Sequence, residues 1–267
     1  MILPLNRIVQ ATMLSAALLS APATLAVEDS TAALLEFDTG VSRLNELGST
    51  LRALLRPEIG FPEEYVGAWQ SAVDEAFASD LLEADYIEAL EQYTTEDARQ
   101  AALAFMDTEL ANEIEAPNED AEPDADIPFE QEIEAAQQVV DGASAEQNAL
   151  FVQLFELQHG PETANAVMDA YYQMMKTAAD PIVGPEAADE WVSGFGSTLR
   201  DAYVEGYFLV TAAKLIDLDV PVLERLTEAM AQPGLVAYAD QSTQAFSAAL
   251  NKAADRLALA YPAAIAD

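Results

Sequence analysis

The sequence predicts an all-α fold: two tandem, divergent helical-bundle repeats joined by an acidic, Pro-containing linker. Three observations carry that expectation. Apolar residues recur at steps of three and four, so that Tyr65, Val66, Trp69, Val73, Ala76 and Phe77 share one face of a helix. Blocks of the first half return in the same order in the second. Between the halves lies Ala116-Pro-Asn-Glu-Asp-Ala-Glu-Pro-Asp-Ala-Asp-Ile-Pro128, three prolines among five acids, too polar to order itself by burial.

From the N-terminus, residues 1–26 read as a secretory signal peptide. Arg7 supplies the positive start, Ile8 to Leu19 the apolar stretch and Pro22 the break. Thr24 and Ala26 are the small residues before a cut after Ala26; cleavage after Ala23 is the alternative. The apolar run is shorter than the ~20 residues a spanning helix needs, which disfavours a membrane anchor, and no later segment is apolar for long enough. Export would place the mature chain in the periplasm. The chain has no Cys, so its stability must come from buried surface, for which 51% apolar residues are ample.

Repeat one is assigned to 27–115, the linker to 116–128 and repeat two to 129–267. Glu63-Glu-Tyr-Val-Gly-Ala-Trp-Gln-Ser-Ala-Val-Asp-Glu-Ala-Phe77 aligns with Asp189-Glu-Trp-Val-Ser-Gly-Phe-Gly-Ser-Thr-Leu-Arg-Asp-Ala-Tyr203, aromatic facing aromatic at Tyr65/Trp191, Trp69/Phe195 and Phe77/Tyr203. Upstream, Leu34-Leu-Glu-Phe-Asp-Thr-Gly40 matches Leu154-Phe-Glu-Leu-Gln-His-Gly160; downstream, Ala104 to Leu110 lies against Ala229 to Leu235. Helices are expected at 30–38, 41–56, 62–80, 82–93, 95–115, 130–141, 144–158, 161–179, 187–206, 208–217, 220–231 and 234–259. Their starts carry the right residues: Thr94-Thr-Glu-Asp97, Gly160-Pro161 and Asp219-Val-Pro221 combine cap residues, first-turn acids or first-turn prolines. Nothing alternates at period two between tight-turn signals, so no sheet is expected.

The order of a short helix, Leu-Leu-Glu-x-x-x-Gly, a longer helix and a later aromatic-apolar stretch before a Ser/Pro/Gly-type break resembles a family of exported bacterial proteins. That family is the domain of unknown function numbered two thousand and fifty-nine. Leu34–Gly40 and Leu154–Gly160 are similar to its opening motif, and Leu103-Ala-Phe-Met106 and Glu228-Ala-Met-Ala-Gln-Pro-Gly234 to its later one. The first copy has Thr108-Glu109 where the second keeps Pro233-Gly234. The resemblance implies a helical fold and an envelope location, and no activity, cofactor or catalytic residue.

The charge excludes more than it assigns. With 47 Asp+Glu against 11 Lys+Arg, the formal net charge is −36, which keeps nucleic acid and anionic lipid away. From Gln100 to Met175 there is no Lys or Arg. One His and no Cys leave no His-rich or Cys-rich metal site and no haem attachment through Cys, so no cofactor and no metal are expected. His159, in Leu-Gln-His-Gly-Pro, reads as a helix C-terminal residue rather than a catalyst. Asp120-x-Glu122-x-Asp124-x-Asp126 has calcium-loop spacing, but Ala125 and Gln131 stand where that loop needs Gly and a bidentate Glu. Gly194-Phe-Gly-Ser197 lacks the spacing of a nucleophile elbow.

Paired acids recur at Glu63-Glu64 and Asp189-Glu190, at expected helix starts where acids are favoured anyway. The aromatic pairs read first as core. Tyr171-Tyr172-Gln-Met174-Met175 is the candidate binding surface, because adjacent tyrosines cannot both face inward and Met-rich surfaces adapt to their partners. These features point to a non-enzymatic binding or structural protein of the envelope, whose partner is a protein, peptide or envelope component. A hydrolase working through carboxylates alone is the competing reading; it requires acids converging in a cleft.

Overall fold

The computed structural model describes residues 27–35, 40–57, 61–115 and 129–266, so the expected signal peptide and the expected acidic linker lie outside the described residues. These residues form α1 (Val27–Leu35), α2 (Gly40–Arg52), α3 (Glu63–Ala76), α4 (Ser79–Tyr93), α5 (Glu96–Met106) and α6 (Glu109–Glu115) in the first half. The second half forms α7 (Phe129–Val140), α8 (Ala145–Leu157), α9 (Gly160–Val183), α10 (Pro185–Ala213), α11 (Val220–Met230) and α12 (Pro233–Ala266). Among the described residues no strand occurs and no helix is long and apolar enough to cross a membrane. The all-α expectation therefore holds.

Local chemistry sets most boundaries. Thr95 caps α5 by accepting from the Ala98 N–H at 3.3 Å. Ser144 and Gln147 close a capping box at α8, and the Gln147 amide also donates to the Ile216 carbonyl at 3.2 Å, tying that start to the end of α10. Prolines occupy the first turns of α9, α10 and α11. His159 joins α8 to α9 in the left-handed region, at φ 52°.

Several boundaries depart from the sequence expectation. The stretch 95–115 divides at Thr108, whose hydroxyl accepts from the Ala111 N–H and so starts a new helix. Conversely 187–206 and 208–217 join into α10, because Gly206 and Tyr207 are buried within a continuous helix. Pro181 and Pro262 both fall near helix ends and are carried inside α9 and α12, where each removes only one late hydrogen bond.

Pairing within the first half joins α1 to α4 and α5, α2 to α3 and α4, and α5 to α6. In the second half α7 lies on α10, α8 on α9, α10 and α11, α9 on α10, and α11 on α12. The long α12 crosses back: it packs against α3, α4 and α5 as well as α9, while α6 reaches α11. One continuous apolar core results, with Trp69, Tyr86, Phe151 and Tyr261 among its fully buried side chains. Polar contacts fix the crossing. Arg256 of α12 donates to the Ala76 carbonyl at the end of α3 and pairs with Asp85 of α4, and Lys252 reaches Glu88 at 2.7 Å.

Gly40 and Gly160, which close the two Leu-rich motifs, both open a helix beneath an aromatic ring. A Cβ at Gly40 would lie 2.3 Å from the Tyr86 ring, and one at Gly160 2.2 Å from the Phe155 ring. Only a residue without a side chain permits that approach.

Buried beside α1 is Arg99, which donates to the Thr94 carbonyl (2.7 Å) and hydroxyl (2.8 Å), to Ser30 (3.2 Å) and to Glu96 (2.9 Å). The Gln100 amide, aided by Arg99 and Ser30, holds the Glu96 carboxyl below its ordinary value against a partial desolvation. A carboxyl whose pKa is depressed by folding stabilises the fold above its unfolded pKa and loses that contribution as pH falls through the folded one. Urea midpoints measured across the acid range should therefore decline below about pH 4.5, and Glu96→Gln should flatten part of that decline. Identical acid limbs in the two proteins would refute the assignment.

Candidate binding face

The Tyr171–Met175 segment divides by helical geometry. Tyr171, Met174 and Met175 of α9 are buried in the core, and only Tyr172 stays half-exposed. Burial among apolar side chains pushes the Tyr171 hydroxyl well above the ordinary tyrosine range. As a binding surface the segment is thus reduced to Tyr172, which faces the first half of α10.

That first half of α10 is the least covered helical stretch around the core. From Pro185 to Ala202 only Ala188 is buried. Trp191 is 41% exposed, and Val192, Phe195 and Leu199 are half-buried. The Trp191 and Phe195 rings meet edge to face with centroids 5.2 Å apart. Polar contacts to α9 hold the stretch in place. Lys176 pairs with Asp189, Arg200 binds Asp169 and the Asn165 amide oxygen, and the Arg200 guanidinium lies 5.5 Å from the Tyr172 ring centroid.

Inside this stretch α10 breaks at Gly196, whose φ of 53° and ψ of −156° belong to a region essentially reserved for glycine. The Tyr172 hydroxyl donates to the Gly196 carbonyl at 3.0 Å and holds the break. A Cβ at Gly196 would meet nothing within 4 Å, so the barrier to substitution is backbone conformation, not space. Gly196→Ala should straighten the helix, because alanine is disfavoured in the broken geometry by about 1–3 kcal/mol and favoured in a regular helix by about 1 kcal/mol. The expected result is a small rise in helical circular dichroism and a shift in Trp191 emission. A spectrum and emission matching wild type would count against this reading of the break.

The other residues weighed from sequence do not converge. His159 is partly covered between α8 and α9, its Nδ1 3.8 Å from Glu162. Glu63 and Glu64 sit exposed in the first turn of α3, and Asp189 and Glu190 stand exposed near the start of α10. Ser197 is exposed on the broken helix. Among the described residues no cluster of three or more His, Cys, Asp or Glu is placed to hold a metal ion. What pattern reading missed was the exposure of Trp191. Its stripe has the period of a core helix, and only the path of the other helices leaves it open. No family model, curated protein or solved structure matches the chain.

Proposed function

We propose that this chain is an exported, non-enzymatic helical protein of the cell envelope that binds a macromolecular partner through the Trp191 face of α10. The observation that carries the reading is the unequal covering of two equivalent aromatic stripes. On α3, Val66, Trp69, Val73 and Phe77 are all buried, Trp69 and Val73 almost completely. On α10 the aligned Val192, Phe195 and Leu199 are only half-buried against the core; Trp191 is 41% exposed where its counterpart Tyr65 is half-buried, and Tyr203 is buried, as its counterpart Phe77 is. A contiguous, partly apolar helix face on an otherwise strongly acidic protein is the kind of surface that partners cover.

Two divergent copies of one unit account for that inequality. The pairings of α1 with α4 and α5 recur as those of α8 with α10 and α11. Those of α2 with α3 and α4 recur as that of α9 with α10, and α5 on α6 as α11 on α12. One crossing contact has a counterpart, α12 on α5 and α6 on α11. The N-terminal signal features and the similarity of the Leu34–Gly40 and Leu154–Gly160 motifs to exported helical proteins support an envelope location. The test is capture of partners from an envelope extract by the mature chain, with mass spectrometry of what co-purifies. Enrichment lost with Trp191→Ala supports the role. Capture of nothing by either form, or the chain found wholly in the cytosol, overturns it.

A further inference from the structure

Two arginines are buried among the described residues, and only one of them is held by the protein. Arg99 has Thr94, Ser30 and Glu96 as acceptors. Arg43 of α2 is 9% exposed, and its Nε has no hydrogen-bond partner. Among the described residues it forms no ion pair, with Glu46 one turn along α2 or with any other carboxylate. A guanidinium taken out of water without an acceptor is costly, so its presence calls for a partner.

The fold itself does not demand this charge. The Leu34–Gly40 and Leu154–Gly160 motifs set Arg43 against Thr163, also buried, whose hydroxyl donates to the His159 carbonyl at 3.0 Å. That comparison rests on the two-copy reading; the unpaired guanidinium does not.

Across from α2, Tyr203 of α10 lies within electrostatic reach of Arg43. Burial pushes the Tyr203 hydroxyl well above the ordinary tyrosine range, Tyr207 adds to the rise, and Arg43 draws it back. Tyr203 therefore stays a neutral donor and cannot neutralise the cation. Its ring stacks on Tyr207 with centroids 6.3 Å apart, and the buried Tyr207 hydroxyl has no hydrogen-bond partner among the described residues. The residue aligned with Tyr203 is Phe77, which carries no hydroxyl.

From these groups we infer that Arg43, with the neighbouring tyrosine hydroxyls, binds a small oxyanion, the carboxylate or phosphate group of a ligand. A planar guanidinium offers such a group two parallel charge-assisted hydrogen bonds, and phenol hydroxyls donate to its remaining lone pairs. The net charge of −36 repels anions at a distance, but physiological salt screens that field beyond about 8 Å, whereas Arg43 acts in contact. This site is separate from the Trp191 face and does not depend on it.

The probes are sodium acetate and inorganic phosphate, each titrated into the intact mature chain by calorimetry, with sodium chloride at equal ionic strength as reference. Expected is saturable uptake at one site per chain, with a raised thermal midpoint. Acetate alone would mark a carboxylate ligand, and phosphate alone a phosphorylated one. Arg43→Met should abolish the uptake. Without anion it should unfold at no lower a temperature than wild type, because an unpaired buried charge is gone. Arg43→Lys should bind at least tenfold more weakly, since an ammonium lacks the fork. Tyr203→Phe, which introduces the residue of the aligned copy, should bind several-fold more weakly with its circular dichroism unchanged.

No saturable uptake of either anion overturns the inference. Equal uptake by Arg43→Met and wild type does so too, as a general salt effect. A marked loss of stability in anion-free Arg43→Met would show that the protein itself holds the guanidinium, and would equally count against the site.

Discussion

Trp69→Ala should be among the most damaging single substitutions in this protein, costing about 3–5 kcal/mol in a urea unfolding experiment. The side chain is fully buried where α2, α3 and α12 meet. Its indole N–H donates to the Leu51 carbonyl at 2.6 Å, and its ring packs edge to face on Tyr261. Truncation removes the ring, leaves a cavity beneath α12 and takes one of two donors from the Leu51 carbonyl, which keeps the Leu54 N–H at 2.9 Å. Trp69→Phe separates the contributions: it keeps most of the packing and should cost about 1–2 kcal/mol, chiefly the lost hydrogen bond. Against a whole-domain stability of about 5–15 kcal/mol, the alanine form should unfold at a much lower urea concentration. Trp191→Ala, on the aligned stripe one turn before Phe195, the counterpart of Trp69, should move the midpoint far less, since that indole is 41% exposed. Equal effects at the two positions would show that α12 does not distinguish the two stripes.

Arg99→Leu is expected to cost about 2–4 kcal/mol, although arginine is ordinarily a surface residue. Its guanidinium ties the end of α4, through Thr94, to the start of α5, through Glu96, and to α1, through Ser30. Thr94 is itself buried, so its carbonyl and hydroxyl would lose a charged donor with little access to water. Glu96 is partly exposed and can be solvated, which keeps the cost below that of a fully buried ion pair. Arg99→Lys should recover less than half of the loss, because a single ammonium cannot span the fork of acceptors. Thermal unfolding followed by circular dichroism reads both variants; a leucine form as stable as wild type would show the network to be replaceable.

Much of the helical layout was legible in advance. The starts of α5, α8, α9 and α11 follow cap and proline chemistry that acts over three or four residues, and such signals survive any tertiary arrangement. The joins were not legible. Whether α10 continues through Gly206 and Tyr207 depends on a core that buries them, and whether Thr108 ends a helix depends on where its hydroxyl bonds. The same holds for the site. Tyr171-Tyr172-Gln-Met174-Met175 looks adaptable as a string of residues, yet three of its four candidate residues point into the core once α9 lies between α10 and α12.

By itself the sequence determined that this protein is helical, strongly acidic and free of Cys-based chemistry, because periodicity, charge and residue type are properties of the chain alone. It also presented two nearly equal aromatic stripes, Tyr65 to Phe77 and Trp191 to Tyr203, and offered no means of ranking them. Tertiary structure decided between them. Burial depends on which distant segment arrives, and α12, more than 150 residues along the chain from α3, arrives at Trp69 and not at Trp191.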